Sequence, residues 1–334
     1  MKRALITGIS GMVGSHLADY LLEKTDWQIY GMARWRSPLD NLSQLTDEIN
    51  SAERVHLLYG DLEDDISLRH VIVRSKPDYV FHLAAQSFPQ TSFTAPLQTF
   101  DVNILGTYRL LNSILEIVPN AVVHVCSSSE VFGRVPKELV PINENTPFHP
   151  ASPYAISKVG TDLVGRYFAE AFGLQTITTR MFTHTGPRRG DVFAESSFAK
   201  QIAMIENGLI PPTIKVGNLD SMRTFADVRD AVNAYYLAVT SDLPAGSVFN
   251  IGGTHSCTVR EMLHKLMSIS TVKGIQIEVD SERLRPIDAD LQIPDTSLFT
   301  QATNWEPKIT FDVTMHDLLD YWRKKVLISK PIQR

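Results

Sequence analysis

Three glycines, Gly8, Gly11 and Gly14, sit between a short apolar run and a helical pattern. The run Arg3-Ala4-Leu5-Ile6-Thr7 reads as a buried strand, and Val13, Leu17, Tyr20 and Leu21 follow at helical spacing. Strand, glycine turn and helix in that order begin a βαβ unit, and bare N–H groups at the helix start attract an anion. The spacing is G-x-x-G-x-x-G, so its force comes from the strand before it and the helix after it.

Five further runs carry the same strand signal: Gln28–Met32, Val55–Tyr59, Tyr79–Leu83, Val122–Cys126 and Thr176–Met181. None alternates apolar with polar residues, which suits parallel strands covered on both faces. Helical patterns separate them, so the expected class is α/β, a doubly wound parallel sheet of the Rossmann type. After Met181 the pattern loosens. Helices are expected at Glu195–Glu206, Val228–Val239 and Val259–Ser268, with short strands at Ile214–Val216, Val248–Ile251 and Ile275–Val279. The expected organisation is a dinucleotide-binding domain over 1–181, to which later segments return, and a smaller α/β substrate-binding lobe mainly over 182–334.

Composition narrows the partners. The 334 residues are 43% hydrophobic, with a net charge of −5, which argues against a general nucleic-acid surface. The two cysteines, Cys126 and Cys257, have no metal-ligand spacing and point to a reducing cytoplasm. No apolar run approaches the ~20 residues of a membrane span. Met1 leads straight into a strand, so no signal peptide is expected.

The residues suggest a nicotinamide dinucleotide. Gly8, Ser10, Gly11, Met12, Val13 and Gly14 would grip its pyrophosphate. The second strand ends in Arg34-Trp35-Arg36 with no acid, which favours NADP over NAD, because a 2′-phosphate prefers arginine. A solvated basic loop is the competing reading. Asp61 and Leu62 follow the third strand; Asp61 either edges the adenine or caps a helix.

Ser152-Pro153-Tyr154-Ala155-Ile156-Ser157-Lys158 has a helix start, with Tyr154 and Lys158 on one face. The ammonium is expected to lower the tyrosine pKa and make Tyr154 a base toward a sugar or alcohol hydroxyl. Upstream, Ser128, Ser129 and Glu130 lie where the fifth strand runs out to the ligand edge. Ser128 can hydrogen-bond the reacting oxygen and Glu130 can serve as a second acid or base; a serine-rich turn with a solvated glutamate is the bland alternative. His82 and His124 read as core histidines, Trp305 and Trp322 as packing of the second lobe, and Cys126 as packing.

Taken with Leu83-Ala84-Ala85-Gln86-Ser87 and Asn103-Ile104-Leu105-Gly106-Thr107, these motifs resemble the extended short-chain dehydrogenase/reductases over essentially the whole chain. Thr146–Pro150, Pro187-Arg188-Arg189-Gly190, Val216–Asp220 and Leu284-Arg285-Pro286 are similar to the GDP-sugar branch, which holds GDP-mannose 4,6-dehydratases and GDP-4-keto-6-deoxymannose reductases. The resemblance implies that Leu83, Ala84, Ala85 and Gln86 line the cofactor, with Tyr154 and Lys158 also touching it, and that Asn103 supports the active-site helix. It implies a triad of Ser128, Tyr154 and Lys158, with Glu130 as a C5 base. Substrate contacts would come from Ser87, Thr183, His184, Arg189, Lys200, Arg223, Arg285 and Asp288, the arginines clamping a diphosphate.

Departures divide the branch. Ser128 and Thr183 stand where dehydratases show Thr and Asn. The stretches Phe193–Gln201, Leu291–Ile293 and Asp317–Trp322 lean toward the reductases, while Arg34–Ser37 leans toward the dehydratases. The favoured expectation is a lyase converting GDP-mannose or a GDP-manno-heptose to its 4-keto-6-deoxy form through NADP. An NADPH-dependent reductase is the alternative, and a non-catalytic nucleotide-sugar sensor a distant third. Two-faced apolar helices near Leu97–Ile117 and Tyr154–Ala171 suggest a homodimer, or a homotetramer if the Arg34 loop bridges subunits.

Overall fold

The computed structural model describes residues 1–284 and 289–328. Seven parallel strands form the main sheet: β1 (Arg3–Thr7), β2 (Gln28–Ala33), β3 (Val55–Tyr59), β4 (Tyr79–His82), β5 (Val122–Cys126), β6 (Thr176–Met181) and β10 (Val248–Ile251). Their order is β10-β6-β5-β4-β1-β2-β3, which reverses direction between β1 and β4. A doubly wound sheet binds ligands outside the carboxyl ends of its strands at such a reversal.

Both faces are covered. On one, α1 (Met12–Lys24) and α9 (Val228–Thr240) pack with Trp27, Phe81 and Trp305. On the other lie α3 (Asp65–Ser75), α6 (Gly106–Ile117) and α7 (Pro153–Phe172). Trp305 therefore corrects one expectation: it fills the core of the main sheet, with its indole N–H donating to Asp230 O at 3.2 Å. Burying so large a ring against the sheet requires that one polar partner.

The smaller lobe has its own core, built by α8 (Ala194–Glu206), α10 (Val259–Ile269) and α12 (Phe311–Ile328), with Trp322 inside it. Its sheet centres on β9 (Met222–Asp227), flanked by β7 (His184–Thr185), β11 (His255–Thr258) and β13 (Leu291–Gln292). A further pair joins β8 (Thr213–Val216) to β12 (Gln276–Val279). Four short α-helices lie between these elements: α2 (Thr46–Ser51), α4 (Pro89–Thr94), α5 (Pro96–Phe100) and α11 (Ser297–Thr303).

Local chemistry sets the helix that matters most. Ser152 caps α7 by accepting from Ala155 N at 3.0 Å, and Pro153 occupies its first turn. Gly173, at φ +70°, ends it in the left-handed conformation glycine tolerates. Between α5 and α6 the chain makes a π-helical turn over Asp101–Leu105. The wider turn leaves the Asn103 carbonyl free to accept from both Thr107 Oγ1 (2.6 Å) and Thr161 Oγ1 (2.9 Å).

Candidate active site

The glycine turn divides its labour. A Cβ on Gly8, at φ +73°, would lie 3.0 Å from the Ala84 backbone, and one on Gly14 would lie 2.7 Å from Ile9 Cα. These two glycines are demanded by packing. Gly11 is different: it is exposed, and its Cβ would meet only Gly8 O at 3.3 Å. It is the N-cap of α1, with no side-chain cap and no acid in the first turn. The buried Met12 side chain and the half-buried Val13 turn into the core, so this helix end presents bare N–H groups and positive dipole. That set fits a pyrophosphate.

Around the turn, Thr7 Oγ1 accepts from Leu83 N (3.0 Å) and Ala84 N (3.1 Å). His82 spans Thr7 Oγ1 and Thr107 Oγ1 at 3.0 Å each. Burial takes His82 and His124 down to about 3, so both are neutral core groups. Asn103 holds Gln86 by its backbone on both sides and donates to Ser157 Oγ at 2.8 Å, tying the Ala85-Gln86 loop to α7.

After β2, Arg34 and Arg36 are both exposed, and Arg36 Nη2 lies 3.8 Å from Asp61 Oδ2. The cap of α3 is Asp64, which leaves Asp61 facing the arginine rather than closing a helix. Leu62 is buried beside Gly106.

The catalytic candidates converge at the end of β5. Ser128 accepts from Glu130 N at 3.2 Å and opens a 3-10 turn over Ser129–Phe132, with Ser129 buried. Lys158 Nζ donates to Cys126 O at 2.7 Å, and Ser127 Oγ donates to Lys158 O at 3.2 Å. Burial pushes Tyr154 well above the ordinary tyrosine value; a hydrogen bond with Ser128 and the charge of Arg189 pull it down, while Cys126 and Glu130 push it further up. This reverses the expectation from sequence that Lys158 lowers it: desolvation of the phenolate outweighs every cation in reach. Burial also lowers the Lys158 pKa.

The second lobe supplies the remaining candidates. His184 Nδ1 lies 3.2 Å from Phe182 O, and burial with the nearby Arg189 charge takes its pKa to about 3. Arg189 stacks 3.5 Å above the Phe193 ring and pairs with Glu195 at 3.1 Å. Thr183 O accepts from Ala226 N, joining β9 to the end of β6. Lys200 is paired with Asp191 at 2.7 Å. Arg223 Nη1 donates to the backbone oxygens of Met222 and Ala289. Ser87 is exposed next to Phe88, whose ring meets Phe193 edge-on at 5.9 Å. Arg285 and Asp288 lie outside the described residues.

Glycine turn, Tyr154/Lys158 pair and the Ser128–Glu130 turn thus share one sheet edge, and a family model described as GDP-mannose 4,6 dehydratase matches residues 5–318. The chain belongs to the GDP-mannose 4,6-dehydratase family. A GDP-mannose 4,6-dehydratase of Yersinia enterocolitica is 31% identical, covering 93% of this chain and 91% of that protein. A GDP-6-deoxy-D-mannose reductase of Pseudomonas aeruginosa is 30% identical, covering 97% and 98%. The solved structure of RMD from Pseudomonas aeruginosa complexed with NADPH matches with a TM-score of 0.82 and 29% identity, over 97% of this chain and 100% of that one.

Three residues of this GDP-mannose 4,6-dehydratase family member escaped the sequence. Asn41 Nδ2 donates to Ser10 O (3.2 Å) and Arg188 O (3.4 Å), so it joins the glycine turn to the Pro187–Arg189 segment. His16 supports the same segment, with Nε2 3.1 Å from Pro187 O. Tyr235 stacks on His124 at 4.3 Å and meets Cys126 Sγ at 3.6 Å, behind the carboxyl end of β5. Neither Asn41 nor Tyr235 stands in a motif; each is defined by partners far along the chain.

Proposed function

We propose that this chain is an NADP-dependent lyase of the GDP-mannose 4,6-dehydratase type, acting on GDP-mannose or a GDP-manno-heptose. The observation that carries the reading is the placement of Glu130: it lies in the turn that follows β5, its backbone N–H donates to Ser128 Oγ at 3.2 Å, and its charge acts on Tyr154. Support also comes from the family match and from the RMD structure, which contains NADPH.

Gly8, Ser10, Gly11, Met12, Val13 and Gly14 would hold the cofactor pyrophosphate, Arg34 and Arg36 its 2′-phosphate, and Asp61 and Leu62 its adenine side. Leu83, Ala84, Ala85, Gln86, Tyr154 and Lys158 would hold the nicotinamide half. Bound NADP supplies a hydride acceptor that returns the hydride later in the same cycle. Tyr154 takes the proton of the C4 hydroxyl while Ser128 holds that oxygen. Once C4 is a carbonyl, the C5 proton is acidic and Glu130 removes it. Glu130 and Ser129 then assist the C6 hydroxyl to leave as water. Ser87, Thr183, His184, Arg189, Lys200 and Arg223 serve the nucleotide sugar, together with Arg285 and Asp288 beyond the described residues.

A reductase is the second reading, favoured by the near-complete coverage of the Pseudomonas reductase. In that reaction Glu130 has no proton it must move. Absorbance at the NADPH band during turnover of GDP-mannose separates the two. We expect a 4-keto product with no net change in NADPH; consumption of NADPH in step with a 4-keto substrate would establish the reductase instead.

Functionally, we assign residues 1–181 to cofactor binding and residues from 182 mainly to the substrate. The enzyme is expected in the cytoplasm, and no described helix is long and apolar enough to cross a membrane. Exposed Leu97, Leu105, Tyr108, Ile156, Leu163 and Tyr167 on α5–α7 and the turn between them support a homodimer through these helices. Sedimentation of a monomer at micromolar concentration would refute it.

A further inference from the structure

Gln292 is 1% exposed, and both its Nε2 and its Oε1 lack a hydrogen-bond partner. Among the described residues it is the one side chain left with two such atoms. A primary amide offers two donor hydrogens and an acceptor oxygen, and burying it unpaired is unfavourable, because its bonds to water are lost without replacement. An apolar residue of similar size would fill the same strand position without that cost. The amide is therefore unexplained by the free fold.

Its location says what could pair with it. Strand β13 runs parallel to β9 with Gln292 opposite Arg223, so the two side chains leave the same face of that small sheet. Immediately beyond, Ile293 O accepts from Ile142 N and Asp295 N donates to Ile142 O, each at 2.8 Å. Pro294 lies against Gly252, the residue that follows β10, where a Cβ would meet its ring at 2.7 Å. Gln292 thus lies where the arginine-bearing strand of the second lobe meets the carboxyl edge of the main sheet.

We propose that Gln292 is a sugar-recognition residue, whose amide hydrogen-bonds a ring hydroxyl of the hexose in the bound nucleotide sugar. A hydroxyl is donor and acceptor at once and can satisfy both halves of the amide. This rests on the nucleotide-sugar reading above. The amide is shut from solvent in the free chain, so it must become accessible when the sugar seats. Gln292 selects the sugar, while the nucleotide diphosphate is held by other groups.

The test is isothermal titration of the NADP-loaded enzyme with GDP and with GDP-mannose, for wild type, Gln292→Leu and Gln292→Glu. We expect Gln292→Leu to melt at or above the wild-type temperature, because it removes two unpaired polar atoms. Its affinity for GDP should be unchanged and its affinity for GDP-mannose should fall about tenfold. Gln292→Glu keeps the shape and an acceptor but loses the donor, so it too should lose GDP-mannose affinity selectively. An unchanged GDP-mannose to GDP affinity ratio in both variants overturns the proposal and leaves the amide to an internal water. If wild type binds neither ligand, the substrate reading itself fails and this proposal falls with it.

Discussion

Lys158 donates a 2.7 Å hydrogen bond to the carbonyl oxygen of Cys126, at the last residue of β5. The ammonium is thereby fixed to the strand end, and the buried Tyr154 is left with a raised pKa. The phenolate needed to take a substrate proton becomes more abundant as pH rises. The kcat/KM should therefore climb from about pH 6 to about pH 9, and a flat profile would contradict Tyr154 as the base. Tyr154→Phe should lower kcat by about 10²–10⁴ while the fold stays intact by circular dichroism.

Alanine at the last two glycines of the turn should act on different properties. Gly14→Ala places a Cβ 2.7 Å from Ile9 Cα and should destabilise the protein by about 1–3 kcal/mol in urea unfolding. Gly11 has φ −75° and its Cβ would meet only Gly8 O, at 3.3 Å, so Gly11→Ala should cost under about 1 kcal/mol of stability. It should nonetheless weaken NADP binding, because the methyl group occupies the approach to the helix end. Titration of both variants with NADP checks the split.

Arg34 and Arg36 are exposed, so their attraction for a 2′-phosphate is screened by salt. Arg34→Ala should weaken NADP binding about tenfold at low salt, and less at high salt. NAD binding should change little, since it lacks the phosphate. Equal losses for both cofactors would remove Arg34 from 2′-phosphate recognition.

Glu130→Gln preserves size and removes the carboxylate base. In a single turnover with GDP-mannose it should still form NADPH absorbance, because C4 oxidation depends on Tyr154. The 4-keto-6-deoxy product should drop by about 10²–10⁴. Product formation at the wild-type rate would show that Glu130 moves no proton.

Acid should unfold this protein through its buried histidines. His82, His124 and His184 titrate near 3 and His16 near 4, against 6.5 in an unfolded chain. Below 6.5 the unfolded chain takes up protons that the folded chain refuses. Stability is therefore complete above that value and declines as pH falls toward 4 and 3, by up to about 1.4 kcal/mol per pH unit for each histidine. Urea midpoints measured over this range should fall steadily; a constant midpoint from pH 6.5 to 4 would contradict the burial of neutral histidines.

Much of the frame was legible because it is written locally. Strands β1, β3, β5 and β6 occupy the runs expected for them, since an apolar stretch bounded by turn residues needs no distant partner to declare itself. The helix start at Ser152–Pro153 and the glycine turn carry their own caps and sterics. The short strands β7, β9, β11 and β13 were missed, because each is stable only through pairing across the small sheet.

The sequence by itself determined the doubly wound class, the glycine turn between strand and helix, and the identities of Ser128, Glu130, Tyr154 and Lys158 as neighbours of one sheet edge. Local spacing and strand order are enough for that. Only the tertiary structure decided that β10 closes the main sheet, that Trp305 belongs to its core, and that Tyr154 is driven up rather than down. It alone left the Gln292 amide buried without a partner. The physical reason is common to all four: burial and desolvation depend on residues brought together from far along the chain, and a linear pattern does not record them.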